Sequence, residues 1–343
     1  MRKYLLPKDG NFYKANLHCH TDCSDGKLTP EEVKNIYKER GYSIVAYTDH
    51  NMFVPHPELN DSEFLALHGI EMDVYGTNLY KTPFSIVNTC HLCCIALDPE
   101  TRIQPLYHRT EYFYSMFQKG IRDKVVYDDS EPDYVREYSV RCVNEIIKTY
   151  REKGFFVTYN HPVWSQENYF VYSQYKGMNA LEILNYGCFA AGYDEVNTAP
   201  YDDLLRLGNR ISCIAADDNH NSRPLTSRKC GSFGGITYIK AKSLDYKDVT
   251  DALLKGDTYA TQEPQIYDLY VEGDMLHIET SPADKITLGT GVRRADVVYA
   301  EGEPLTSWDV KVNPDDVYVR LTVYNEYGKR AWTRAYFTDE IFG

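Results

Sequence analysis

Two histidines stand two positions apart in Asn16-Leu17-His18-Cys19-His20, and Asp218-Asn219-His220 repeats the spacing with a carboxylate and an imidazole. In extended chain, alternate residues face the same side. Each pair therefore aims two Lewis-basic groups in one direction. Neutral imidazole and carboxylate together form the donor set of zinc, manganese or iron. His50, His91 and His161 lie at or near the ends of further apolar segments, and Asp25 and Glu71 add carboxylates. Such a cluster suits hydrolysis. Water held between two cations loses a proton near neutral pH, and the cations neutralise charge developing on the substrate.

Each residue also has a plainer reading. His50 fits a satisfied core histidine, and His91 fits a wall made cysteine-rich by Cys93 and Cys94. Cys90, Cys93 and Cys94 read as small buried residues rather than soft ligands. His56 and His108 read as surface or substrate-side residues, His68 as structural, and His277 as part of a C-terminal β region. Asp49, beside His50, suits an orienting group or a proton carrier. Arg223 and Arg228 follow the last paired motif and suit a grip on phosphate, or a solvated loop. Tyr159, Trp164 and Tyr186 either line a pocket or pack.

The elements that must position these groups follow from patterning. Residues 15–20 alternate as a strand. Thr29-Pro30-Glu31-Glu32 is a capping box with proline at the first helical position, and Gly41 stops that helix. Segments 43–47, 64–72, 89–97, 155–159, 180–184, 211–215 and 236–239 read as strands, with helices over 140–150 and 245–255. Residues 98–135 read as an irregular, partly helical insertion over the site. Short apolar strands alternating with helices predict an α/β fold built on a parallel sheet or barrel, whose strand C-termini carry the chemistry. From about residue 264 alternation replaces helical periodicity, as in Val317 to Tyr324. The expected organisation is residues 1–264 as the α/β unit and 265–343 as a small antiparallel, sandwich-like β domain.

Composition limits the partners. The net charge is −13 over 343 residues, which disfavours a nucleic-acid duplex. No run of 18 apolar residues and no signal peptide is present, so no membrane span is expected. Nine cysteines form no even framework and read as reduced cytoplasmic thiols. The 31 tyrosines are mostly strand residues.

The ordered set Asn16-Leu17-His18-Cys19-His20-Thr21, Ser24-Asp25-Gly26, Thr48-Asp49-His50-Asn51, Gly69-Ile70-Glu71, Asn160-His161-Pro162 and Asp218-Asn219-His220 resembles the successive motifs of the PHP (polymerase and histidinol phosphatase) superfamily. The resemblance covers about residues 14–262. It implies a distorted seven-stranded β/α barrel, a metal-dependent phosphoesterase activity on a small phosphorylated or nucleotide-like compound, and two to three divalent ions. His18, His20, Glu71 and Asp218 would hold the first ion. Glu71 would bridge to a second held by His91 and His161, and Asp25, His50 and His220 would hold a third. The cysteines around His91 depart from the family pattern. Val319-Arg320-Leu321-Thr322-Val323 and Gly328-Lys329-Arg330-Ala331-Trp332-Thr333 resemble the end of the two-domain branch that includes carbaryl-hydrolase-like enzymes. That branch implies a carbamate or carboxylic-ester hydrolase as the rival activity. A non-catalytic metal-binding module is the third reading, disfavoured by the complete donor set.

Overall fold

The computed structural model describes residues 2–76, 88–113 and 119–343. After a short β1 (Arg2–Tyr4), the strands that place the donors on them or just past their ends, or lie between those that do, are β2 (Asn11–Asn16), β3 (Ile44–Tyr47), β4 (Leu65–Tyr75), β5 (Thr89–Ala96), β6 (Phe155–Tyr159), β7 (Ala180–Asn185) and β8 (Ser212–Ala216). β9 (Ile236–Ala241) and β10 (Thr258–Thr261) follow. The C-terminal strands are β11 (Ile266–Glu272), β12 (Met275–Ala283), β13 (Lys285–Thr290), β14 (Ala295–Tyr299), β15 (Leu305–Lys311), β16 (Tyr318–Tyr324), β17 (Arg330–Thr333) and β18 (Tyr336–Phe337).

The architecture is mixed α/β, dominated by one 14-stranded sheet in the order β14-β13-β16-β17-β10-β9-β2-β3-β4-β5-β6-β7-β8, with β18 beside β16. A separate four-stranded sheet runs β1-β11-β12-β15. The expected all-parallel pattern is not what forms. β2, β3 and β4 are parallel, as are β6, β7 and β8, but β5 runs antiparallel to both its neighbours. β9 is antiparallel to β2. Periodicity reports burial on the two faces of a strand and not its direction, so the reversal was invisible in the sequence.

The chain beyond β2 meets the chain beyond β8. Asp218 N donates to His18 O at 3.0 Å and His20 N to Asn219 O at 3.1 Å. Cys19 and Asn219 form an isolated parallel bridge. The ladder of β2 itself ends at Asn16, so the strand expected over 15–20 is cut short. The two histidines sit on the outgoing extended segment and still turn to one side.

Helix formation follows local rules. Thr29 closes the predicted capping box with Glu32 over the helix Pro30–Lys38. Ser139 caps the helix Val140–Glu152, which buries Val143, Ile146, Ile147 and Tyr150 at helical spacing against β5 and β6. Each such side chain contributes about 1.5–3 kcal/mol on burial. The 98–135 segment supplies one helical turn, Lys119–Arg122; residues 114–118 of that expected insertion lie outside the described residues. Past the C-terminal strands, Thr338–Phe342 forms a terminal turn of helix.

Two main cores form. One joins β4–β8 and the helix Val140–Glu152 to Tyr318, Trp332, Ala335 and Phe337. The other lies between the two sheets around Leu269, Ile278, Leu288, Val310 and Leu321. No helix among the described residues is long and apolar enough to cross a membrane.

His68, on β4, is 1% exposed, and neither ring nitrogen has a hydrogen-bond partner. Burial, then Arg102 and His56, push its imidazole down to about 4. The unfolded chain keeps a value near 6.5 and so takes up the proton first as pH falls. The stability associated with neutral His68 is complete above about pH 6.5 and is lost towards pH 4, by up to about 3 kcal/mol. Urea unfolding of His68→Phe should show a shallower loss than wild type over that window. Parallel pH profiles would refute the assignment.

Candidate metal centre

All nine expected donors converge. Glu71, fully buried on β4, is the hub. Its Oε1 lies 3.2 Å from His18 Nε2, 3.1 Å from His91 Nδ1 and 3.2 Å from His161 Nε2. Its Oε2 lies 3.3 Å from His20 Nε2 and 3.1 Å from His50 Nδ1. Asp218 Oδ1 lies 2.9 Å from His20 Nε2 and 3.3 Å from His18 Nε2. Asp25 Oδ1 is 3.3 Å from His220 Nε2 and 3.9 Å from both His20 and His50.

Donor atoms within 4.8 Å of one another fall into four overlapping groups: His18, His20 and Asp218; His18, Glu71 and His161; His50, Glu71 and His91; and His20, Asp25, His50 and His220. This grouping differs in detail from the map the resemblance implies. His91 sits with His50 rather than with His161, and His20 also reaches the Asp25 group.

The donor set fits divalent cations. His18 Nε2 and His20 Nε2 face each other at 3.1 Å. Two imidazole lone pairs so close are stabilised by a shared cation or proton. His91 Nε2 and Glu71 Oε2 are buried and make no hydrogen bond among the described residues. Ring orientation is fixed from behind, which leaves Nε2 aimed inward. His18 Nδ1 meets Glu182 Oε1 at 3.0 Å, His161 Nδ1 meets Ser165 Oγ at 3.2 Å, and His220 Nδ1 meets the Asp218 carbonyl at 3.0 Å.

Electrostatics agree. Burial alone would raise Glu71 and Asp218, but the surrounding imidazoles, His18 foremost, hold both carboxyls well below the usual range. Burial opposes the charge on His18 and His20, yet the carboxylates outweigh it and both imidazoles lie well above their ordinary value. His161 is likewise pushed up to about 9, chiefly by Glu71 against the effect of burial. His50 goes the other way, to about 3, through burial and the neighbouring His20. A cation entering the cluster therefore displaces protons, and its affinity rises with pH.

The backbone pays attention to this place. His161 and Asp218 adopt φ of 25° and 51°, and Asn51, after His50, adopts 60°. Non-glycine residues with positive φ carry strain that surrounding contacts must hold. Gly187 allows the approach of the Asp217-Asp218 turn: a Cβ there would lie 2.6 Å from Asp217 O.

Other expected residues sort as follows. Asp49 takes the orienting place, since its oxygens accept from Thr21 N, Thr21 Oγ1 and Ser24 Oγ at 2.6–2.8 Å and so hold the loop that carries Asp25. A pocket of about 420 Å³ opens over the cluster and is lined by Trp164 and Arg223. Arg228 does not line it, but Lys229 does. Tyr159 is fully buried and donates to Glu167, so it packs; Tyr186 stacks on Phe189 outside the pocket lining. His56 is buried beside Glu58, a correction to its surface reading; Tyr47 covers its ring. Cys90, Cys93 and Cys94 are all buried, and Cys93 Sγ accepts from Asn160 Nδ2 at 3.0 Å.

Sequence reasoning missed Glu182, Lys229 and Arg136. Glu182 could have been noticed as an acid inside the apolar run Ala180 to Leu184. It accepts from His161 N and Asn185 Nδ2 as well as His18. Arg136 is buried, paired with Asp73 at 3.1 Å and bonded to Asn51 Oδ1, which ties the segment after the insertion to the residue following His50. Glu182→Gln should weaken metal affinity about 10–100-fold, the usual effect of losing a group behind a ligand. Competition against a chelating dye measures it; an unchanged affinity would exclude the orienting role.

No family model matches the chain, and no curated protein does. Among solved structures, a two-domain protein of Bacteroides vulgatus, described as containing a predicted PHP-like metal-dependent phosphoesterase, shares 14% identity over 94% of each chain with a TM-score of 0.43. A Bifidobacterium adolescentis protein, provisionally described as a metal-dependent phosphoesterase, shares 16% identity over 73% of this chain and 98% of its own, with a TM-score of 0.42. A Chromobacterium violaceum amidohydrolase solved with sulfate and no metal shares 14% identity over 60% and 78% of the two chains, with a TM-score of 0.29.

Proposed function

We propose that the protein is a metal-dependent phosphoesterase of the PHP superfamily, acting on a small phosphorylated or nucleotide-like compound. The observation that carries the reading is the convergence of nine imidazole and carboxylate donors beneath a pocket whose wall holds Arg223 and Lys229. In this reading β2–β8, whose ends meet, form the distorted seven-stranded barrel, and residues 265–343 form the appended β domain. All nine cysteines are free and buried, which supports a reducing, cytoplasmic setting.

Two to three divalent ions (zinc, manganese or iron) would supply Lewis acidity and lower the pKa of a water. The chain's own groups do the rest. Arg223 and Lys229 draw and orient the phosphate against an otherwise acidic molecule. Trp164, packed edge-on against His91 and His161 at 5.2 and 5.0 Å, walls the pocket and limits water. Glu182 holds His18, and Asp49 holds the Asp25 loop.

The test is metal analysis followed by assay of manganese- and zinc-loaded protein on aryl phosphate monoesters, diesters and aryl carbamates. Phosphate turnover is expected to dominate. Carbamate turnover tenfold above phosphate would replace this reading with the carbamate-hydrolase one. Failure to bind metal after anaerobic purification would end both.

A further inference from the structure

A second cavity, of about 640 Å³, opens between residues 101–109 and 127–135 on one side and the helix Val140–Glu152 on the other. None of its lining residues belongs to the metal cluster. Its apolar wall is unusually open. Ile103 and Val135 remain 52% and 72% exposed, and Leu106 and Phe155 extend that wall inward. Tyr107 and Tyr127 stack at 4.4 Å beside it, the first buried and the second partly exposed.

The charges around the cavity are unbalanced. Asp128, Glu131, Asp133 and Glu145 line it against Arg109 and Lys153. Arg109 is already engaged, paired with Asp133 at 2.8 Å and lying over the Tyr127 ring. That leaves Asp128, Glu131 and Glu145, against Lys153, with no ion-pair partner among the described residues. The walls are also held in place. Tyr134 N bonds Tyr107 O at 3.0 Å, Arg109 bonds the carbonyls of Asp129 and Glu131, and Gln104 bonds Phe53 N at 2.8 Å and Asn51 O at 3.0 Å. A preformed cavity with an apolar wall and a few directed charges is how small-molecule sites are built.

We propose that this cavity binds a small organic cation bearing a ring. The ring lies against Ile103 and Val135, and the ammonium faces the carboxylates of Glu131 and Glu145. Apolar area retains the ring, and the acidic rim rejects anions of the same shape.

Saturation-transfer NMR on the full chain tests this with tyramine and with 4-hydroxyphenylacetate, which keeps the ring and reverses the charge. Tyramine is expected to give a signal at millimolar concentration and the acid none. In Glu131→Lys/Glu145→Lys, both surface changes, the tyramine signal should fall at least fivefold while circular dichroism stays unchanged. Ile103→Arg, which places a cation in the wall, should do the same. An equal signal from the acid, no signal from tyramine, or a tyramine signal that survives both variants would overturn the proposal.

Discussion

Replacing Glu71 by glutamine is expected to abolish the activity and strip most of the bound metal. The carboxylate contacts five imidazoles, those of His18, His20, His50, His91 and His161, within 3.3 Å. It belongs to two of the four donor groups, so no cation in the cluster is indifferent to its charge. The amide keeps the shape and one acceptor but loses the charge that offsets a divalent ion. Lewis-acid assistance amounts to several kcal/mol of transition-state stabilisation, so kcat/KM should fall about a thousandfold or more. Metal content by plasma mass spectrometry should fall with it. The apo variant should keep a native circular dichroism spectrum. A variant with full metal content and activity would remove Glu71 from the centre of the site.

Deleting residues 265–343 is expected to unfold the rest of the chain. β10 pairs with β17, matching Tyr259 to Thr333, Ala260 to Trp332 and Thr261 to Ala331. Trp332 is fully buried in the same core as Val157, Leu181 and Leu204. Arg320 grips Asp202 through two bonds of 2.8 and 2.6 Å, and Ala335 N donates to the buried Tyr201 hydroxyl. Truncation leaves that core open and Asp202 unpaired. A single change isolates the effect: Trp332→Ala should cost about 3–5 kcal/mol in chemical denaturation, a large share of a typical folding stability. If residues 1–264 alone gave a cooperative melt and bound metal, the shared core would be dispensable and the C-terminal strands would serve substrate choice or partners instead.

The donors themselves were legible because the relevant signal is local. His18-x-His20 needs only an extended segment to face one way, and that segment is extended; Asp218 instead takes φ of 51° and reaches the cluster through a turn. Motif order then brought in Asp25, His50, Glu71 and His161. His91 was the least legible, since its cysteine neighbours and strand position suited a plain packed wall equally well. The residues behind the donors were not legible. Glu182 contacts His18 from 164 positions away, and Arg136 reaches Asn51 from 85 away. Nothing in a short window distinguishes such a pairing from a solvated charge. Lys229 was passed over for Arg228 because loop residues have no periodicity to assign a facing direction.

What was legible in the sequence by itself is the donor chemistry: nine imidazole and carboxylate groups of the right kinds, at or near the ends of short apolar segments. It also determined helix starts, through caps that are satisfied within four residues. Strand direction, the antiparallel entry of β5, the grouping of donors around Glu71 and the burial of Trp332 between the two parts of the chain were decided only by tertiary structure. These depend on which distant segments meet, and burial energy is non-directional. His18 and His20 announce candidate metal ligands; Glu71, Glu182 and the meeting of the chain beyond β2 with the chain beyond β8 decide how the donors are arranged.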